Sequence, residues 1–431
     1  MTKSLNTKSK NFNSQLAYYL DIRKSNNNYK ISLVRKILKN IKKNRDKALI
    51  QYEKKFNNLK ILNKNNLFFS KTEIKNSLKS LNKKTKKDID LAYSRILSFH
   101  KKQKINNFSK NDKYKNKLSY KTSPINKLGV YVPGGKASYP SSVLMNCIPA
   151  IVANVNEIYM TVPSLKGNTN PGVLYAAKKC KVKKIYKLGG AQAIGAFAYG
   201  TNTVIKVDKI VGPGNEFVAL AKKEVFGEVG IDMFAGPSEV TVIADKNSNP
   251  EWVAADLIAQ AEHDETSQSI LVTNEKEIIQ KVIKFVNLQA KFLPKKKTIL
   301  KSIKNFGLFI LAKNIKEISD IVNIISPEHL EICTNKPEKF LKYIKNAGSI
   351  FLGQYSPEAI GDYLAGPNHV LPTSGTARFS SGLSVFDFVK RHSIIKITKS
   401  GIERLGPSVI NLANYENLHG HANSVKIRLK R

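Results

Sequence analysis

"KKIYKLGGAQAIGAFAYGTNTVIKVDKIVGPGN" (residues 183–215) sets two strand-like runs around an alanine-rich segment. "KKIYKLGG" (183–190) reads as a strand, "AQAIGAFAYG" as a helix, and "TVIKVDKIVGPGN" (203–215) as a second strand ending in a glycine turn. Strand, helix and strand in that order imply parallel pairing, because parallel strands need a crossover connection that a tight hairpin cannot supply.

The same texture extends in both directions from residue 129 onward. "EIYMTVPS" (157–164), "EVTVIAD" (239–245), "SILVTN" (269–274), "LFILA" (308–312) and "GSIFLG" (348–353) read as further strands between helical segments and Gly/Pro turns. These are too many strands for one small sheet. The expected fold class is therefore α/β, with two Rossmann-like modules built on parallel sheets. Upstream, residues 30–57 and 71–104 carry apolar residues at helical spacing among lysines and read as amphipathic helices of a lead-in. The Lys/Asn-rich tract 101–117 reads as a loop, and the last fifty residues as a small C-terminal appendage. The expected division is an N-terminal extension (1–28), a discontinuous α/β domain (29–130 and 239–383), a second Rossmann-like domain (131–238) and a C-terminal extension (384–431).

Composition narrows the function. The chain has 431 residues, 42% hydrophobic and 24% charged, which is the range of an ordinary globular protein. Its longest mainly apolar stretch, "VLMNCIPAIVANV" (143–155), is shorter than the roughly 20 residues a membrane helix needs. No apolar core follows the first lysines, so no secretory signal is expected and the cytoplasm is the expected location. Cys147, Cys180 and Cys333 are too scattered for a disulfide framework or a thiolate metal knuckle, so any metal must be held by nitrogen and oxygen. The net charge of +40 suits a nucleic-acid binder, but 63 of the 72 basic residues are lysine and only nine are arginine. Between Tyr186 and Leu271 six lysines face twelve acids, a local balance of −6, so the surplus lies outside the glycine-rich stretch. No nucleic-acid partner and no membrane are expected.

Glycine turns carry the first chemistry: "GVYVPGGKASYPSS" (129–142), "LGGAQAIG" (188–195), "VGPGNEF" (211–217) and "FAGPSE" (234–239). They let a backbone approach a ligand closely, and Tyr131, Gln192 and Asn215 stand beside them, which points to a cofactor cleft. None forms a G-x-G-x-x-G fingerprint. Asn249 and Pro250 make an N-cap and first-turn pair, so "EWVAADLIAQAEH" reads as a helix with Gln260 and His263 near its end. That histidine suits either a cap on the helix dipole or a ligand. In "SPEHLEI" (326–332), Glu328 and His329 are an acid and an imidazole able to divide proton transfer, or else a surface pair at a strand start. Asp362 stands between glycine turns in "SPEAIGDYLAGPNHVLPTSGTARFSSGLS" (356–384). "NYENLHGHANSVKIR" (414–428) adds Glu416, His419 and His421, and strand alternation would set both histidines on one face.

Taken together these stretches resemble the histidinol dehydrogenase family. The likeness is carried by "GVYVPGGKASYPSSVLMN", "GGAQAIGA", "VGPGNEFVALAK", "IDMFAGPSEV", "IAQAEHD", "SPEHLEI" and "GDYLAGPNHVLPTSGTARFSSGLSV", with Glu416 and His421 ending it. It spans about residues 129 to 428, and upstream only helical character and length agree. The resemblance implies NAD and one zinc ion per subunit, with Gln260, His263, Asp362 and His421 as metal ligands. It implies two oxidations, L-histidinol to L-histidinal and then to L-histidine, with Glu328 and His329 as the catalytic pair. It places Tyr131, Gln192 and Asn215 against NAD. Ser238, His329 and Glu416, together with the four metal ligands, would contact substrate. It also implies a homodimer in which Glu416 and His421 reach the neighbouring site. His419 is a rival ligand, but the five-residue step from Glu416 picks His421.

Overall fold

A computed structural model describes residues 3–23, 28–57, 64–103, 105–134, 139–164, 167–233 and 236–430. Part of the first glycine turn (135–138) and Phe234 and Ala235 of the fourth lie outside the described residues. The chain lays down an edge strand, β1 (Lys3–Asn6), then helices, then β2 (Phe108–Asn111) and β3 (Lys117–Pro124). A first α/β series follows: β4 (Lys127–Tyr131), β5 (Glu157–Thr161), β6 (Lys184–Tyr186), β7 (Lys209–Val211) and β8 (Gly230–Ile231). A second comprises β9 (Glu239–Ala244), β10 (Gln268–Thr273), β11 (Leu308–Leu311), β12 (His329–Ile332) and β13 (Ser349–Leu352), and β14 (Val389–Lys396) precedes two last helices.

The two series form two parallel sheets, ordered β6-β5-β4-β7-β8 and β1-β11-β10-β9-β12-β13. Each winds outward from its first strand and then crosses back to the other side, so the order reverses between β4 and β7 and again between β9 and β12. That is doubly wound α/β topology, as the sequence predicts. β9 and β10 are buried at every position, which suits strands covered on both faces and explains their unbroken apolar reading. The strand expected over 203–215 is regular only at Lys209–Val211. All three cysteines are buried and free.

The helical lead-in is real and functional in packing. Leu38 and Ile41 of the helix Asn28–Asn57 share a core with Ile194 and Phe197 of the helix Gly190–Tyr199. The long helix breaks at Arg45, whose φ is +49. Its guanidinium donates to the carbonyls of Tyr199 and Gly200 at 2.8 Å each, satisfying acceptors at the C-terminal end of the packed helix. The extreme N-terminus is built in as well: β1 pairs with β11, and Leu5, Phe12 and Leu16 join the core of the six-stranded sheet.

Residues 103–125 and 388–431 form a second compact unit, separate from 1–102 with 126–387. It holds the antiparallel sheet β14-β3-β2 and the helices Lys399–Tyr415 and His419–Leu429. Two expectations are corrected here. The tract 101–117 contains β2, a fully exposed strand that local composition hides and that pairing with β3 creates. His419 and His421 lie on a helix, not a strand, so positions two apart point about 200° from one another rather than sharing a face. Among the described residues no helix is long and apolar enough to cross a membrane.

Candidate active site

The helix Pro250–Ala261 starts as the sequence predicts, with Asn249 accepting from the N–H groups of Glu251 and Trp252 and Pro250 at its first position. As the crossover between β9 and β10 it runs back against the strands, so its last turn reaches the edge where strands begin. There Gln260 is fully buried. Oriented to satisfy both groups, its amide nitrogen donates to both carboxyl oxygens of Glu358, at 2.6 and 3.1 Å, and its oxygen stays uncommitted to that carboxyl. His263 follows just beyond the helix. It is exposed by area, yet enough protein surrounds it that desolvation lowers its pKa, against the pull of Asp362 and Glu262.

His329 opens β12 with Glu328 directly before it, and both are buried, so the surface-pair reading is excluded. His329 Nδ1 lies 3.1 Å from the carbonyl oxygen of Glu239, 3.5 Å from Glu358 Oε1 and 3.8 Å from Glu328 Oε2. A carbonyl only accepts, so Nδ1 carries the proton and Nε2 keeps the lone pair. Nε2 is buried with no protein partner among the described residues. The ring lines a cavity of about 320 Å³ together with Ile350, Asp362, Asn368 and His369. Burial pulls the imidazole down to about 4, with Asp362 and the Glu239 carbonyl opposing. The Glu328 carboxyl is pushed well above the ordinary range by burial, although it accepts from the Glu239 N–H at 2.9 Å.

Asp362 sits on the short helix Glu358–Tyr363. Burial would raise its pKa, but the hydrogen bond and charge of His369, with His329 and His263, hold it below the usual value. His369 Nδ1 stands 3.6 Å from Asp362 Oδ1 and 3.0 Å from its carbonyl. Donor atoms of His329, Glu358 and Asp362 lie within 4.8 Å of one another. Ser238 is half-buried directly before β9.

Three residues here escaped the sequence reading. Glu358 and Asp362 are four apart, a helical i, i+4 acid pair visible in "SPEAIGD", and His369 lies in the same stretch. Nothing local marks Glu239. Glu416 caps the helix Lys399–Tyr415, and His421 lies in the first turn of the helix His419–Leu429. Both are exposed and belong to the second unit, whereas Gln260, His263, Glu328, His329 and Asp362 belong to the first.

The expected cofactor residues lie at the other kind of edge. Tyr131 ends β4, Gln192 is in the first turn of the helix after β6, and Asn215 caps the helix Glu216–Val225 after β7. All three therefore mark C-terminal strand ends, and Tyr131 and Asn215 flank the point where strand order reverses, between β4 and β7. The reversal is tight: Gly212 has φ +113, and a Cβ there would collide with the carbonyl oxygen of Tyr131. Tyr131 and Gln192 are buried, and Asn215 is exposed. Gln192 Nε2 donates at 2.9 Å to Glu53 of the lead-in helix, which also accepts from Gly189 N–H at 3.1 Å. Burial pushes Glu53 up to about 7 against hydrogen bonds from Asn57, Gln192 and Gly189.

Comparison with known proteins identifies the family and the fold. A family model described as histidinol dehydrogenase matches residues 21–429. The chain is 54% identical to a histidinol dehydrogenase of Pelagibacter ubique, covering 100% of both chains, and 50% identical to one of Clostridium acetobutylicum, covering 93% of this chain and 92% of that one. A crystal structure of histidinol dehydrogenase from Elizabethkingia anophelis superimposes with a TM-score of 0.92 at 38% identity, over 100% of this chain and 98% of that one.

Proposed function

Because the chain belongs to the histidinol dehydrogenase family, we propose that it oxidises L-histidinol to L-histidinal and then to L-histidine, reducing NAD at each step. These are the last steps of histidine biosynthesis. The observation that carries the reading is His329, a buried imidazole in the cavity lining, with Nδ1 committed to a carbonyl and Nε2 without a protein partner among the described residues.

In the first oxidation Nε2 of His329 takes the hydroxyl proton of the alcohol as hydride leaves the carbon. The imidazolium so formed is faced by Glu358 and Glu328, at 3.5 and 3.8 Å, which stabilise it in transit. Glu328, once ionised, takes a proton from the water that adds to the aldehyde, and His329 serves again when the hydrate is oxidised. NAD, when bound, accepts the hydride of each oxidation.

The residues fit a divalent ion. Gln260 has its amide oriented by Glu358, Asp362 has its pKa lowered, and His263 interacts electrostatically with Asp362, a nitrogen and oxygen set without thiolate. Zinc held by Gln260, His263, Asp362 and the partner subunit's His421 would orient substrate, since three or four protein ligands leave coordination positions open. Exposure of Glu416 and His421 suits a homodimer in which each tail completes the other site, together with Ser238 as a substrate contact. On this reading residues 239–383 supply the oxidation chemistry, 131–238 bind NAD through Tyr131, Gln192 and Asn215, and the enzyme works in the cytoplasm. Purified protein loaded with zinc is expected to form two NADH per L-histidinol and to lose turnover in chelator. One NADH per substrate, or indifference to chelator, contradicts it.

A further inference from the structure

We propose that Arg23 is a positioning residue for the catalytic pair, acting through Glu239. The inference rests on the roles given above to Glu328 and His329, and it assigns a part in the chemistry to the N-terminal segment. Glu239 holds both catalytic side chains with its main chain: its N–H donates to Glu328 Oε2 at 2.9 Å, and its carbonyl accepts from His329 Nδ1 at 3.1 Å. One peptide neighbourhood thus sets the tautomer of the base and the orientation of the acid.

Arg23 grips that neighbourhood. Its Nη1 lies 3.4 Å from Glu239 Oε1, with both side chains almost wholly buried (4% and 3% exposed). Nη1 also donates to Gln268 Oε1 at 2.8 Å, and Nη2 to the carbonyls of Pro237 at 2.6 Å and Ser238 at 3.4 Å. The Ser374 N–H donates to the same Glu239 carboxylate oxygen. A planar guanidinium can hold a carboxylate and two carbonyls at once, which an ammonium on a flexible stem cannot. The segment carrying Arg23 is itself fixed, since β1 pairs with β11 and Phe12 and Leu16 are buried. Glu328 is faced by Glu239, Asp362 and Glu358, which disfavour its ionisation, by Arg23, which favours it, and by His329. Removing Arg23 would take a guanidinium away from 3.4 Å of the buried Glu239 carboxylate and move that carboxylate relative to both catalytic groups.

The test uses the full-length, zinc-loaded protein with Arg23→Met, Arg23→Lys, Glu239→Gln and the double variant Arg23→Met/Glu239→Gln. Arg23→Met is expected to lower kcat roughly tenfold or more, with zinc content retained and the acid limb of the kcat profile moved to higher pH. Glu239→Gln should move that limb to lower pH, and the double variant should lie between. Arg23→Lys should recover the limb but only part of the rate. A damaged scaffold alone would lower rates without moving the limb. If Arg23→Met does not fold, the limb is compared between Arg23→Lys and the double variant, in which no uncompensated charge is buried. Parental kcat and limb in the folded variants overturn the inference, as does a loss confined to thermal stability. A parent that does not oxidise histidinol sinks the functional reading instead. Imidazole NMR then still decides, because His329 should be the Nδ1–H tautomer in the parent and lose that fixed state in Arg23→Met.

Discussion

The two parallel sheets share one winding, yet they carry their candidate residues at opposite edges. In the five-stranded sheet Tyr131, Gln192 and Asn215 mark the C-terminal ends of β4, β6 and β7, where the following helices begin. In the six-stranded sheet Glu239 and His329 are the first residues of β9 and β12, and Gln260 comes from the last turn of a helix. Helix N-termini carry partial positive charge and helix C-termini partial negative charge. The first edge therefore suits the anionic pyrophosphate of a dinucleotide, and the second suits a metal cation. Duplicated topology does not duplicate the electrostatics of the two edges, because they present opposite ends of the crossover helices.

The sharpest way to break that contrast is at the six-stranded sheet. His329→Asn is expected to lower kcat by roughly 10² to 10⁴ while keeping bound zinc, whereas His263→Asn should weaken zinc binding, read by competition with a chelator. Parental turnover and parental zinc affinity in both would end the assignment. The pH dependence sharpens the same edge. His329 is free base above about 4, so it does not set the acid limb near neutrality. Glu328 must lose a proton and its pKa is raised, so turnover should rise with pH through a limb above the ordinary carboxyl range. A limb at about 4.5, the ordinary glutamate value, would speak against Glu328 as the base.

At the five-stranded sheet, Gln192→Ala should raise KM for NAD several-fold, of the order of one lost hydrogen bond or about 1 kcal/mol, with KM for histidinol unchanged. Equal shifts in both would mean that the two edges are not separate sites. The smallest effect concerns Glu53. Its folded pKa of about 7 exceeds the ordinary 4.5, so the folded chain binds a proton more tightly than the unfolded one, and this group's contribution falls as pH rises between those values. The stability of the parent relative to Glu53→Gln should therefore decline from pH 4.5 to 7, by no more than about 3 kcal/mol. Denaturant melts at both pH values measure it, and a constant difference would show that Glu53 does not titrate there.

Much of this was legible in residue order. The βαβ texture of 183–215 foretold parallel sheets, and Asn249 with Pro250 foretold the start of the helix that delivers Gln260. These are local signals, set by side-chain periodicity and cap chemistry within a few residues. The polar strand β2 was hidden because its only support is a partner strand, and the tail's histidines were misplaced because two-residue spacing does not distinguish a strand from a helix. Glu358 left a trace in its four-residue step to Asp362, whereas Arg23, Glu53 and Glu239 left none.

By itself the amino-acid order determined the fold class and the residue types able to move protons and hold a metal, since both depend on composition and short spacing. Only the tertiary structure decided which nitrogen of His329 keeps its lone pair, that Glu358 orients Gln260, and that Glu53 and Arg23 reach partners 139 and 214 residues away. Such contacts arise when the packed core brings remote backbone together and every buried polar group must find a partner there. No local pattern encodes that requirement.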